Sequence, residues 1–478
     1  MTRADRQSGP VFAGTCSRRE AFGRVACGFG SLALASLAGE SARAERLDTT
    51  QPPHFTPRAK RMVFLFMQGG PSQIDTFEPK PRLDRDDGKP LPFLVARTRQ
   101  VSEEKLLASP WQFRQYGQCG RWVSELFPRM AQHVDDLCFL HGLHTEGVAH
   151  GPATLMLHTG ATSVVRPSLG SWLSYGLGTE NSNFPAFVTL SPSARMGGPR
   201  NYSSAFLPSS HQGTIVGRAE RPFREASIRH LSGGSLDDVA RRRQFEWVQA
   251  LNRQQLKQTP AHDAGFDGLI DAYELAFRMQ RDAPELLDLS GETAATLAAY
   301  GVGTPETDDY GRQCLMARRM IERGVRFVQV NYSDNSNNPR WDQHSHLERH
   351  ETHARAVDRP IAALLADMKA RGLLEDTLIW WGAEFGRTPF AQNRNGRDHN
   401  PKGFTAWLAG AGVKPGFAFG ATDEFGYEAV DGRVHMHDMH ATLLHLLGLD
   451  HTRLTYRYSG RDFRLTDVHG RVVKYILS

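Results

Sequence analysis

Short apolar runs that alternate with helical patterns constrain this chain more than any other feature. Met62 to Met67, Leu137 to Leu140, Phe187 to Leu190, Val325 to Val330, Thr377 to Trp381 and Thr405 to Leu408 are each largely apolar, on both faces rather than on one. Strands that read this way are buried on both faces, which requires helices above and below the sheet. Val357, Ile361, Leu364, Leu365 and Met368 recur at helical spacing, and Gly372 stops that helix. Residues Tyr310 to Arg323 form another predicted helix, closed by Gly324 and leading into the strand at Val325. The fold class this implies is α/β, a doubly wound and mostly parallel sheet with helices on both faces.

From Ser235 to about Tyr300 the chain reads as successive helices, with Ser235-Leu236-Asp237-Asp238 as an N-cap, so a helical insertion is expected over about 228–305. Residues Met196 to Ser227, rich in Gly, Pro, Ser and Arg, read as a surface excursion. The rest of 45–478 reads as a single domain.

The first 44 residues read as a targeting segment. Ser17-Arg18-Arg19-Glu20-Ala21-Phe22 resembles a twin-arginine export box, an apolar small-residue stretch runs from Val25 to Leu37, and Ala42-Arg43-Ala44 is a fitting cleavage site. The expected destination is the periplasm or the extracellular space. That stretch is too short and too rich in Gly and Ala to span a bilayer, so no stable membrane span is expected after cleavage. The segment holds six arginines against three acids, a large part of the net charge of +5. No basic patch with interleaved aromatics remains, which argues against a nucleic-acid partner. Cys119, Cys138 and Cys314 lie beyond the signal without metal-type spacing, which disfavours a thiolate zinc site, and Cys138 reads as a small buried hydrophobe.

Candidate chemistry gathers in three segments: Trp341-Asp342-Gln343-His344-Ser345-His346, Gly382 to Pro389, and Gly396-Arg397-Asp398-His399. On a helical turn, Asp342 and His346 would share one face and grip one ion, with His344 as alternative or outer partner. The competing reading is a solvated polar loop. Glu384 follows a strand's carboxyl end, where ligands of such sheets bind, and Arg387 is placed either to meet an anion or to pair with Glu384. His399 is a candidate ligand with Asp398 as its orienting partner. Asp438 reads as the N-cap of an apolar helix Met439 to Leu447, so His435, His437 and His440 are given a structural role. Gly69-Gly70-Pro71-Ser72 reads as a tight turn.

Phe66-Met67-Gln68-Gly69-Gly70-Pro71-Ser72-Gln73-Ile74-Asp75-Thr76-Phe77, Gly382 to Pro389 and Gly460-Arg461-Asp462-Phe463-Arg464-Leu465-Thr466-Asp467 together resemble a family of twin-arginine-exported, sulfatase-like bacterial proteins, domain of unknown function 1501, within the alkaline phosphatase and sulfatase superfamily. The resemblance implies a two-metal hydrolase of sulfate or phosphate esters, acting on an anionic small molecule or polysaccharide ester. Asp342, His346 and His399 match its metal ligands, and Glu384 stands where an Asp is expected. His150 occupies the nucleophile's place, as nucleophile or general base. Gln68, His150 and Phe385 depart from the pattern, which implies one surviving site for a divalent metal (Zn, Ca or Mn). The alternative is a non-catalytic member that binds an anionic polymer or a protein partner.

Overall fold

The computed structural model describes residues 52–93, 95, 104–227, 238–258, 274–275, 278–279, 284–392 and 395–478. The twin-arginine segment and the Ser235 N-cap lie outside them. The chain divides into two compact units, 1–47 with 236–255, and 48–235 with 256–478. Described residues of the smaller unit belong to one polar helix, Asp238–Gln258.

The larger unit is built on a nine-stranded sheet. Its strands are β1 (Arg61–Met67), β4 (Leu137–His144), β5 (Phe187–Leu190), β6 (Thr214–Val216), β7 (Phe327–Tyr332), β8 (Thr377–Gly382), β11 (Phe404–Gly410), β12 (Phe417–Phe419) and the short Val434–His435. The strand pairs outside it include β2 (Phe113–Tyr116) with β3 (Arg121–Ser124), and β9 (Gly386–Gln392) with β10 (Gly396–Asn400). The sheet order is β12-β4-β11-β8-β1-β7-β5-β6, with Val434–His435 beside β4. All pairs are parallel except those of β11, which runs antiparallel to both β4 and β8.

All six expected strands are present, and β1 shows why they are largely apolar on both faces. Val63, Leu65 and Met67 face one core with the helices Asp308–Glu322 and Arg349–Ala370. Met62, Phe64 and Phe66 face another with the helices His150–Thr159, Leu169–Leu177 and Met436–Leu446. Alternate side chains thus enter two hydrophobic layers, as a doubly covered sheet demands.

Three local details differ from expectation. The 196–227 stretch supplies the edge strand β6, whose three residues are too short for a periodicity signal. The Met436–Leu446 helix begins earlier than expected: its N-cap is His435, whose side chain accepts from the His437 N–H, while Asp438 is the third helical residue and accepts from the His435 N–H. Residues 341–346 form no helical turn.

At the carboxyl end of β1 the chain turns through Gly69 and Gly70, with φ of +105° and +76°. A Cβ on Gly69 would also overlap the Pro339 carbonyl oxygen. Gly69→Ala is therefore expected to cost at least about 2 kcal/mol, combining left-handed strain with a backbone clash, read as a lowered midpoint in guanidinium unfolding. A loss under about 0.5 kcal/mol, no larger than that of an ordinary surface substitution, is the outcome that contradicts it.

Candidate metal centre

The carboxyl ends of β1, β4, β7 and β8 converge on one edge of the sheet. Because β11 runs the other way, its amino end reaches the same edge, and the β9–β10 hairpin sits beside it. His150 opens the helix after β4, and Asp342 and His344 lie in the loop after β7. Glu384 follows β8, Arg387 lies on β9, and His399 lies opposite it on β10.

Asp342, 4% exposed, is the hub. Its Oδ1 accepts from Arg387 Nη2 at 2.7 Å and lies 2.8 Å from His344 Nε2 and 3.0 Å from His399 Nε2. Its Oδ2 lies 3.1 Å from His150 Nε2. The outer nitrogens are held too. His150 Nδ1 is 2.7 Å from Glu384 Oε1, which also accepts from the Gly69 N–H at 2.9 Å. His399 Nδ1 is 2.6 Å from the Val148 carbonyl oxygen, and His344 Nδ1 meets Gln392 Oε1. A carbonyl only accepts, so His399 carries its proton on Nδ1 and turns a bare Nε2 towards Asp342. Burial first, then the nearby Arg387 and His150, push His399 down to about 4, against the pull of Asp342. Burial alone would raise the Asp342 carboxyl, yet Arg387 and the three histidines hold it well below the usual carboxylate range. Burial likewise works to lower His150, but Asp342 and Glu384 outweigh it and leave the imidazole above its ordinary value.

Two atoms at this centre are buried with no aligned hydrogen-bond partner, His150 Nε2 and Glu384 Oε2. The Nε2 is close to Asp342 but poorly directed at it. The bare His399 Nε2 meets the Asp342 carboxylate electron pair to electron pair at 3.0 Å, with His344 Nε2 also 3.0 Å away, while His150 Nε2 beside them has no aligned partner. A cation resolves this conflict. One donor atom from each of His150, Asp342, His344 and His399 lies within 4.8 Å of the others. Each imidazole has its outer nitrogen on an acceptor, the usual support for a metal-binding histidine. The residues present therefore fit a divalent metal.

The sequence-derived candidates fall into place unevenly. Asp342, His344, His399, His150 and Glu384 are brought together. His346 is not: without a helical turn the four-residue spacing loses its meaning, and the side chain is 60% exposed beside Glu348, at 3.1 Å. Arg387 is fully buried and does not pair with Glu384. Its Nε donates to the Gly70 carbonyl at 2.9 Å, Nη1 to that of Arg397 at 3.2 Å, and Nη2 to Gly69 and Asp342. Asp398 does not orient the His399 ring; it accepts from that residue's own backbone N–H at 2.8 Å. Val148 and Gln392 escape sequence reasoning, since a backbone carbonyl and an isolated amide leave no signal there. Gln68 holds the Asp334 N–H at 2.9 Å. Phe385 packs its ring on His399 at 4.4 Å and beside His150 at 5.0 Å, closing that side of the centre.

These positions separate two neighbouring histidines by experiment. His344→Ala is expected to weaken zinc binding by about 100-fold or more, whereas His346→Ala changes it by less than about twofold. Competition titration against a chromogenic chelator reads both. Equal losses in the two variants would mean the centre is wrongly drawn.

Fold and centre together define a doubly wound α/β protein with a candidate metal centre at the carboxyl edge of its sheet. The chain belongs to the family described as "Protein of unknown function (DUF1501)", whose model matches residues 59–477. No curated protein matches it. Among solved structures it is similar to a sulfatase of Pseudoalteromonas sp., at 11% identity over 82% of this chain and 68% of the other, with a TM-score of 0.35. An alkaline phosphatase superfamily protein of Vibrio parahaemolyticus is 11% identical over 88% of this chain and 74% of the other, with a TM-score of 0.38. The alkaline phosphatase of the Antarctic bacterium TAB5 is 9% identical over 76% of this chain and 94% of the other, with a TM-score of 0.31. Likeness at those scores assigns no activity.

Proposed function

We propose that this is an exported, single-metal hydrolase of sulfate or phosphate esters. The observation that carries the reading is the arrangement of His150, His344 and His399, each held from outside and each placing Nε2 within about 3 Å of buried Asp342. Three imidazoles and one carboxylate suit zinc or manganese; calcium prefers oxygen ligands. A bound divalent ion supplies Lewis-acid activation of water and of an ester oxygen. The chain's own groups prepare the site for it. Glu384 fixes the His150 ring through Nδ1, Arg387 keeps Asp342 ionised, and the Phe385 ring excludes water from one side. Export rests on the arginine pair, apolar stretch and cleavage site near the N-terminus.

A second reading, binding without turnover, is favoured by Arg387. Its contacts to three carbonyls and Asp342 leave it unavailable to clamp a substrate anion.

Purified protein should first be assayed for metal by mass spectrometry, then offered aryl sulfates and aryl phosphates with added zinc or manganese. Turnover that His150→Ala abolishes supports hydrolysis. Metal without turnover supports the second reading, and no metal at all ends both forms of the metal proposal. For export, Arg18→Lys with Arg19→Lys should hold the protein in the cytoplasmic fraction. Chelation is a separate test. A ligand present at about 1,000 times its Kd contributes about 4 kcal/mol to folding, so a chelator should lower the melting temperature by several degrees and added zinc restore it.

A further inference from the structure

A cavity of about 600 Å³ opens beside the start of the Arg349–Ala370 helix. It shares no residue with the metal centre. Its wall holds a half-buried tryptophan, Trp111, with both acids and guanidiniums, among them Glu306, Glu351, Asp358, Arg129 and Arg359. The size is that of a small-ligand site. Asp358 is nearly fully buried and occupied, its two oxygens accepting from the Arg129 and Met130 N–H groups at 3.0 and 2.8 Å, so it shapes the floor. The Trp111 ring is backed by His350, stacked at 6.1 Å, and His350 in turn packs edge-on against Trp341 at 5.1 Å. The indole is thus backed by two fully buried rings in turn, His350 and then Trp341.

We infer that this cavity binds an uncharged pyranose unit of a saccharide, with Trp111 as its stacking platform and Arg129, Glu306 and Glu351 as its hydroxyl partners. The chemistry favours a sugar over the alternatives. The axial C–H face of a pyranose is apolar and flat enough to lie on an indole, whereas its rim carries hydroxyls that both donate and accept. A wall offering carboxylates and guanidiniums side by side satisfies both roles. The cavity carries four carboxylates against three guanidiniums, so it has no excess positive charge with which to select a polyanion. A purely apolar ligand would take the Arg129 and Glu306 charges out of water, at high cost.

Isothermal titration with uncharged hexasaccharides (cello-, xylo-, manno- and malto-oligosaccharides), and a heparin hexasaccharide for contrast, tests this on the full protein with and without metal. At least one uncharged probe should bind with a Kd between about 10 μM and 1 mM, in either metal state, and more tightly than heparin. Trp111→Ala should weaken it about tenfold or more. Arg129→Ala, an exposed change that leaves the fold intact, should weaken it about threefold or more. Unchanged circular dichroism and zinc affinity would locate both losses in the cavity. The inference fails if no uncharged probe binds, if heparin binds best, or if Trp111→Ala and Arg129→Ala leave the Kd unaltered. Because the probes are followed by binding alone, the result stands apart from whether the metal centre hydrolyses esters.

Discussion

Asp342→Asn is expected to remove nearly all metal from the protein while leaving its secondary structure in place. The carboxylate is the only anionic donor among the four grouped residues, and it meets each of the three histidines. An amide offers one neutral oxygen in place of the anion, and its N–H groups can occupy the bare imidazole nitrogen that a metal would use. Zinc affinity should fall by a factor of about 1,000 or more, on the order of 4 kcal/mol. The same change leaves the Arg387 guanidinium buried without its counter-charge, for which about 3–5 kcal/mol of stability is the usual cost of breaking such a pair. The two effects are separable. Metal binding is read by equilibrium dialysis of folded protein, and stability by guanidinium unfolding in chelator. A variant that keeps metal at wild-type stoichiometry would remove Asp342 from the centre.

The second large effect concerns Arg397, which never touches the cluster. Both it and Asp75 are fully buried, joined by two contacts of 2.6 and 3.1 Å. The guanidinium also donates to the Leu107 and Thr388 carbonyls at 3.0 and 3.1 Å. Arg397→Met should destabilise the fold by about 3–5 kcal/mol, since it strands the Asp75 carboxylate in the interior. Asp75→Asn with Arg397→Met should recover much of that loss, because no lone charge then remains. Denaturant midpoints of the two single variants and the double variant decide it. A double variant as unstable as the sum of the singles would show that the charge pair is not the source.

The strands and the two long helices are legible in the sequence because their signals are local. Apolar runs bounded by turns report burial, and helical spacing reports a face. Glu384 and His399 are legible for a related reason, since one follows a strand end and the other precedes a strand, whereas Asp342 is picked out by a spacing to His346 that the fold does not use. His150 is reached only through resemblance; nothing in its surroundings, Ala149-His150-Gly151, marks it as a partner of residues some 200 positions on. What local signals cannot give is which of two alternating histidines turns inward. His344 and His346 differ only in how an irregular loop is pinned, and the pins are distant: the Gln343 carbonyl accepting from the Arg397 N–H at 3.0 Å, and Gln392 against the His344 ring. The role of Arg387 is hidden for the same reason. Its buried fork is fixed by Gly69 and Gly70, more than 300 residues earlier in the chain.

Strand order also bears on biosynthesis. β4 is made early, yet its sheet partners are β11, β12 and the Val434–His435 strand, all encoded after residue 403. Until the ribosome has passed those codons, the apolar run Leu137-Cys138-Phe139-Leu140 waits with both edges bare. A nascent chain in that condition is a template for intermolecular pairing. Production of this protein should therefore depend on holdase chaperones during translation. Early termination before residue 404 should give insoluble material rather than a smaller folded product.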